Sequence, residues 1–518
     1  MPDRPLDCLV VTPNSRLSAY GPLQRFAAVE PPLWAGLIAA FLRGRRYGVA
    51  MLDAEALDLP SGQIGQAAAA AHPRLIAVVV YGHQPSASTQ TMPGARVALE
   101  AIRAAAPQIP TILIGAHPSA LPERTLREEP VDFVCEGEGL ITAASLLDGG
   151  LGDLGRVPGL WWWQDRPMQN RPASLIADLD RHMPRPAWEL LPMRGKPVYW
   201  AHQWHTFGWP GLSSPYASVY TTLGCPYHCG FCMIQAPFRP GQAAAGMKET
   251  VNSYRRWRPE TVVDQLEFLV KTYDVRNVKI ADEMFVLNKS HVKSICQGIV
   301  ERGLNLNLWA YARVDTVDPK ELELMRQAGV RWLAVGIEAA HSAVRDGQEK
   351  GFSDDRIFET VRAIQAAGIA VVGNFIFGLE GDTLASMQAT LDLAQALNCE
   401  WVNFYPAMAF PGSRLYSEAV RAKARLPETW AGYAPLGYDC VPFAPTGLTP
   451  EAVLTFRDMA FLQYFSGTGY QAMIHSRFRM GRRRGLGEKA LGEVWAVIAR
   501  GRPPRRLLGD PPPELDHA

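Results

Sequence analysis

The stretch Thr221-Thr222-Leu223-Gly224-Cys225-Pro226-Tyr227-His228-Cys229-Gly230-Phe231-Cys232 decides how the rest of this 518-residue chain is read. Its C-x3-C-x2-C spacing suits three thiolates that hold a four-iron cluster and leave one iron without a protein ligand. That vacant corner is where a small molecule can coordinate and react. Two other chemistries also gather cysteines. A zinc site takes four ligands, and His228, inside the loop itself, is the one nearby addition. A disulfide knot is at odds with eight cysteines in so long a chain, and Cys8, Cys135, Cys296, Cys399 and Cys440 fall singly at apolar positions, as core thiols do.

Working outward, the segment strongly resembles the cysteine loop of radical SAM enzymes. The resemblance implies that Cys225, Cys229 and Cys232 are both metal ligands and the catalytic centre. The open iron would chelate the amine and carboxylate of S-adenosylmethionine (SAM), and one electron from the cluster would release a 5'-deoxyadenosyl radical. It also implies a small-molecule substrate and a reductant such as flavodoxin or ferredoxin.

The surrounding sequence has the alternation such a site needs. From 217 to about 409, strand patterns at 217–222, 277–281, 307–312, 332–337, 370–377 and 401–405 are separated by helical patterns at 259–272, 289–302, 319–328, 353–367 and 384–397. Repeated strand-helix units predict a partial (β/α)6 barrel with its reactive face at the carboxyl ends of the strands. Polar residues follow most strands: Asp282 and Glu283, Arg313, Glu338, then Gly378. A charged residue at a strand end is commonly a solvated loop residue or a helix cap. By the resemblance, Asp282 and Glu283 would accept from the methionyl ammonium and Arg313 would pair with its carboxylate. Glu338 would meet the ribose, and Phe231 with the edge of 373–378 the adenine.

Ahead of the barrel, residues 1–148 read as an α/β unit. Strands at 7–11, 50–52, 75–81, 111–114 and 132–135 alternate with helices at 32–45, 61–71, 93–106 and 121–128, predicting a doubly wound parallel sheet with ligands at its carboxyl edge. The strings Gly115-Ala-His117-Pro-Ser-Ala-Leu-Pro-Glu123 and Val131-Asp-Phe-Val-Cys-Glu-Gly137-Glu-Gly139 make this region resemble the cobalamin-binding domain that precedes the barrel in one large branch of the superfamily. The resemblance implies that Ser86, Ser88 and Thr89, the turns at Gly115 and Gly137, and His117 surround the nucleotide tail and the rim of the corrin. The D-x-H-x-x-G element that gives cobalt a histidine in many cobalamin proteins is absent. Asn14, with Ser15 and Tyr20, is the candidate for the lower face. A domain of this shape kept without its cofactor is the alternative reading.

A connector at 149–216 is rich in Trp and Pro. Trp161-Trp-Trp163 reads as a short strand or hairpin edge, and Trp204, His205 and Trp209 either line a pocket or pack the connector on the barrel. The barrel region is taken as 217–445. Residues 446–518 form a small helical region with an aromatic stripe that caps the barrel or completes its core, ending in a basic tail from Arg482 that reads as solvated or as a site for a phosphorylated substrate.

Composition excludes several classes. With 47% hydrophobic residues and a formal charge of +1, nothing global steers the chain to nucleic acid or an anionic membrane. The start lacks a signal-peptide pattern and no apolar run is long enough to span a bilayer, so a cytoplasmic location is expected. The expectation is a cobalamin-dependent radical SAM enzyme, first a methyltransferase acting on an unactivated carbon of a small metabolite or of a sugar or natural-product intermediate. A radical cyclase, oxygen-inserting or rearrangement enzyme is the second reading, and a non-catalytic cobalamin-binding regulator the third.

Overall fold

The computed structural model describes residues 6–81, 87–348 and 350–478. The expected position Ser86 and the basic tail from Arg482 lie outside the described residues.

The amino-terminal unit is a seven-stranded sheet. Its strands are β1 (Cys8–Thr12), β2 (Val49–Asp53), β3 (Leu75–Val80), β4 (Thr111–Gly115), β5 (Phe133–Cys135), β6 (Leu160–Trp163) and β7 (Pro167–Gln169), in the order β2-β1-β3-β4-β5-β6-β7. The first five run parallel and β6 and β7 are antiparallel additions. All six residues of β3 are buried, as expected of a central strand covered by helices on both faces. The β6–β7 hairpin continues the first sheet past residue 149, with the tryptophan run in a short strand as expected. Trp162 is buried opposite Phe133, so the tryptophan run extends the first sheet.

The second unit holds β8 (Tyr216–Val219), a short pair β9 (Thr222–Leu223) and β10 (Arg255–Arg256), then β11 (Asn277–Ile280), β12 (Asn307–Arg313), β13 (Val330–Glu338), β14 (Ala370–Phe377) and β15 (Trp401–Pro406). Six of these make one sheet in the order β15-β14-β13-β12-β11-β8, every neighbouring pair parallel, which is the expected six-stranded partial barrel. Apolar helix faces cover its outside: helix Pro259–Tyr273 buries Val262, Val263, Leu266 and Leu269.

Two expectations about packing are resolved. Trp204 sits edge-on to Trp309 (5.3 Å) and Trp332 (5.0 Å), and His205 Nε2 lies 3.1 Å from the carbonyl of Asn307. These partners are at the strand starts, so the connector plugs the amino end of the barrel, opposite the reactive face. The aromatic stripe of helix Pro450–Ser466 is core: Phe461 packs on Phe404 of β15 at 5.3 Å, and the Tyr464 hydroxyl donates to the Cys399 carbonyl at 2.6 Å.

Candidate functional site

The cysteine loop leaves the barrel at its carboxyl edge and is fixed by bonds to its backbone. Gly224 has φ +86°, and a Cβ there would meet the Ser253 carbonyl oxygen at 2.2 Å, so only glycine fits the approach to Cys225. The Cys225 carbonyl accepts from Gln235 Nε2 at 2.6 Å and the Tyr227 carbonyl from Asn252 Nδ2 at 2.7 Å. Cys232 N–H donates to the Cys229 carbonyl at 3.0 Å. Sequence reading missed Gln235 and Asn252. No motif marks a side chain whose task is to hold a loop carbonyl.

The donor set suits a four-iron cluster. Burial pushes the Cys225 thiol up to about 12, with Glu283 and Cys229 adding to the rise; burial raises Cys232 as well, followed by repulsion from Cys229 and Cys225. The three sulfurs therefore sense one another, and together they become thiolates only against concentrated positive charge, which iron supplies. Among the described residues, no three His, Cys, Asp or Glu side chains converge closely enough for a single metal ion. A cubane needs its thiolates on three different irons and so a wider triangle. His228 is exposed and paired with Asn252 at 3.3 Å, which leaves the zinc alternative without its fourth ligand.

The strand-end residues divide by what they already hold. Asp282 is fully buried and accepts from the N–H of Thr221 (2.6 Å), the N–H of Thr222 (3.1 Å) and the Thr221 hydroxyl. Both oxygens are engaged, so this carboxylate fixes the entry to the cysteine loop. Glu283 is different: burial lifts it to about 8, and its Oε2 has no partner. Arg313 forks to both oxygens of Asp315 at 3.0 Å, lies 3.8 Å over the Tyr227 ring, and brings Nη1 within 3.6 Å of Cys229 Sγ. Glu338 ends β13 at φ +69°, an uncommon conformation for a residue with a Cβ, and its carboxylate pairs with buried Lys350. Gly378 turns the chain at φ +84° and donates its N–H to Asp382 at 3.0 Å. Phe231 packs with Ile376 and Tyr405 near the mouth.

In the first unit the sheet brings most of the expected residues together. The Ser88 hydroxyl bonds the Val80 carbonyl and accepts from His117 N–H at 2.9 Å, and Thr89 Oγ1 lies 3.2 Å from His117 Nδ1. Gly115 passes so near Val80 that a Cβ would sit 2.5 Å from its carbonyl oxygen. Gly137, at φ +122°, joins through the Ser119 hydroxyl at 3.0 Å. Asn14 stands apart, with its amide on Asp58 at 3.1 Å. His117 is fully buried with Nε2 unpartnered, and burial lowers it to about 3. At the ends of β1, β2 and β3 a cleft open to solvent is lined by residues including Tyr20, Trp34 and Tyr81, with Trp34 and Tyr81 stacked at 4.0 Å. The aromatic-walled cleft lies at the carboxyl edge, where a doubly wound sheet takes its ligands, and His117, with its orphaned imidazole nitrogen, is not among the residues that line it.

The two units are joined by buried ion pairs. Glu138, from the loop after β5, meets Arg255 of β10 at 2.8 Å, and Glu30 meets Lys279 of β11 at 3.3 Å.

A cysteine triad at the mouth of a six-stranded partial barrel, docked against a doubly wound sheet, defines a radical SAM enzyme. Residues 23–147 match the B12 binding domain family and residues 219–394 the Radical SAM superfamily. The chain belongs to the radical SAM enzymes that carry a cobalamin-binding domain, and the cofactors of these two domains are a 4Fe-4S cluster, SAM and cobalamin. It is 27% identical over 410 residues to an uncharacterized methyltransferase of Pyrococcus horikoshii, covering 78% of this chain and 81% of the relative. It is 26% identical over 400 residues to the anaerobic magnesium-protoporphyrin IX monomethyl ester cyclase of Rubrivivax gelatinosus, covering 75% and 66% respectively. Its fold is similar to that of the radical S-adenosylmethionine methyltransferase TsrM of Kitasatospora setae, with a TM-score of 0.62 and 17% identity over 96% of this chain and all of that one. No helix among the described residues is long and apolar enough to cross a membrane.

Proposed function

We propose that the protein is a cobalamin-dependent radical SAM methyltransferase acting on an unactivated carbon of a small molecule. The arrangement that carries this reading is the cysteine loop with Arg313 beside Cys229, opening toward a cobalamin-binding unit held by the Glu138–Arg255 and Glu30–Lys279 pairs. Bound there, the cluster and SAM supply hydrogen abstraction and cobalamin supplies the methyl group.

The chain's own residues bind, orient and exclude water. Cys225, Cys229 and Cys232 hold the cluster. The guanidinium of Arg313 suits the SAM carboxylate, and the unpartnered oxygen of Glu283 suits its ammonium. Asp282 keeps the loop in place, and Glu338 with Lys350 borders the ribose position. Phe231 and the Gly378 turn flank the adenine. Ser88, Thr89, Gly115, Gly137 and His117 form the cobalamin-facing edge. The reductant is a small electron-transfer protein, and the location is cytoplasmic.

The test is anaerobic reconstitution followed by incubation with methyl-labelled SAM and a panel of candidate substrates. Label recovered in product together with deoxyadenosine supports the reading, whereas deoxyadenosine with no labelled product overturns methyl transfer. The cyclase relative favours a second reading, in which product mass shows lost hydrogens or added oxygen in place of one methyl. In either case Cys229→Ala abolishes SAM cleavage and leaves corrin binding intact. A regulator would lose nothing measurable.

A further inference from the structure

On the inner wall of the barrel, β14 and β15 carry an uncharged polar pair, one member of which, Asn374, lies in the 373–378 edge that the family resemblance assigns to the adenine. On β15 the exposure alternates: Trp401, Asn403 and Tyr405 are half-buried, while Val402 and Phe404 are buried. Phe404 packs outward on helix Pro450–Ser466, Trp401 at the strand start reaches both Phe465 of that helix and the Trp309 and Trp332 cluster, and Tyr405 packs with Phe231 at the mouth, which places the Asn403 face toward the lumen. Tyr311 on β12 and Asn374 on β14 are likewise the half-exposed members of otherwise buried strands.

Asn374 and Asn403 are side by side on the adjacent strands β14 and β15 as register partners, and Asn403 Nδ2 donates to Asn374 Oδ1 at 3.0 Å. Asn403 Oδ1 accepts from Trp401 Nε1 at 3.3 Å and keeps a second lone pair, while Asn374 Nδ2 has no protein partner among the described residues. The pair thus keeps one donor, Asn374 Nδ2, and one acceptor lone pair, on Asn403 Oδ1. The other inward residues of β14 and β15 near it are Val372, Ile376, Trp401 and Tyr405, none of them ionisable at neutral pH, while on β13 the Glu338–Lys350 ion pair lies over Gly336, the register partner of Asn374. Tyr20 of the first unit senses the charge of both Tyr311 and Tyr405.

We infer that Asn374 and Asn403 are specificity-determining residues that read an uncharged group presenting an acceptor beside a donor, as a carboxamide or lactam does. The inference rests on the proposed function, since it names the substrate class of that same site. A carboxylate would lose half of the pairing and an ammonium the other half, each leaving a polar amide atom unpaired in a partly desolvated wall.

The test uses anaerobically reconstituted holoenzyme with SAM present, titrated with benzamide, benzoate and benzylamine as probes of equal size. Benzamide is expected to bind about tenfold more tightly than either charged probe, the difference one well-made hydrogen bond gives. Asn374→Leu and Asn403→Leu should each bring the three probes to parity. Asn403→Asp, of unchanged shape, should raise benzylamine binding by about tenfold, a gain that misfolding cannot produce. Equal or tighter binding of a charged probe to the parent, no benzamide binding at millimolar concentration, or leucine variants that leave benzamide unaffected would each overturn the inference. So would loss of SAM affinity in Asn374→Leu with the benzamide preference intact, because the pair would then belong to the adenine. Failure of the cofactor reading is separately visible in the same samples as missing cobalt or absent deoxyadenosine.

Discussion

Arg313 Nη1 lies 3.6 Å from Cys229 Sγ while its other two nitrogens are held by Asp315 at 3.0 Å. The fork fixes a positive charge against one cluster ligand. Charge and hydrogen bonds at cluster sulfurs raise the reduction potential, so Arg313→Gln should lower the midpoint of the reconstituted cluster, as followed by EPR-monitored titration. The same variant should weaken SAM binding by about tenfold, the worth of one charge-assisted bond. An unchanged midpoint would leave Arg313 a purely structural partner of Asp315 and Tyr227.

Asp282 holds two backbone N–H groups and a hydroxyl at the entry to the cysteine loop. Asp282→Ala strands all three in a buried site and should cost about 3 kcal/mol in chemical denaturation. Iron per chain after reconstitution should fall as well, because the loop loses its anchor to β11. Asp282→Asn keeps one acceptor and should lose less on both measures.

Much of this was legible in the sequence, and the limits were physical. Period and length gave both parallel sheets, because buried strands are short apolar runs between helices of clear periodicity. The triad was legible because ligand spacing is local. Trp161-Trp-Trp163 gave no period-2 signal, so its membership of the first sheet emerged only from the pairing with β5. Asp282 and Glu283 are neighbours of like charge, and their opposite tasks depend on which one reaches Thr221. Lys350 meets Glu338 through a turn of the chain that carries no motif. Asn374 and Asn403 fall within predicted strands, Asn374 in the edge that the resemblance gives to the adenine, but which face they occupy is set by register across two strands, information that no single segment contains.

His117, His205 and His291 are all held neutral by burial, at about 3, 3 and 4. Their unfolded counterparts take up protons near pH 6.5, so between about pH 6.5 and 3 the unfolded chain binds more protons and stability falls on acidification. The loss for each histidine approaches about 1.4 kcal/mol per pH unit once pH is well below 6.5. His117→Gln removes one of the three. Its denaturation free energy should drop less between pH 7 and pH 5 than that of the parent, whatever its value at pH 7. Parallel slopes for the two proteins would mean that His117 is protonated in the fold.

Glu30 belongs to the first unit, yet its carboxylate lies against Lys279 of β11 at 3.3 Å and accepts from the Ser218 hydroxyl of β8 at 2.7 Å. Ser218 and Lys279 are register partners, and Lys279 Nζ also sits 5.0 Å over the ring of Trp309. Both charged side chains are almost wholly buried, at 3% and 4% exposure, and Glu30 also faces His202 at 3.8 Å, so the two charges offset each other within a wider polar cluster. Glu30→Gln leaves a buried ammonium and Lys279→Met a buried carboxylate; either should cost about 3–5 kcal/mol. The double variant removes both charges and should be more stable than the sum of the single losses by about 2 kcal/mol or more, measured as a double-mutant cycle in denaturant. Strict additivity would mean that the pair does not couple the two units. Because the barrel end of the pair is fixed within the strand register, its loss should also loosen the first unit against the cysteine loop, seen as faster proteolysis between residues 170 and 215 in the single variants than in the double.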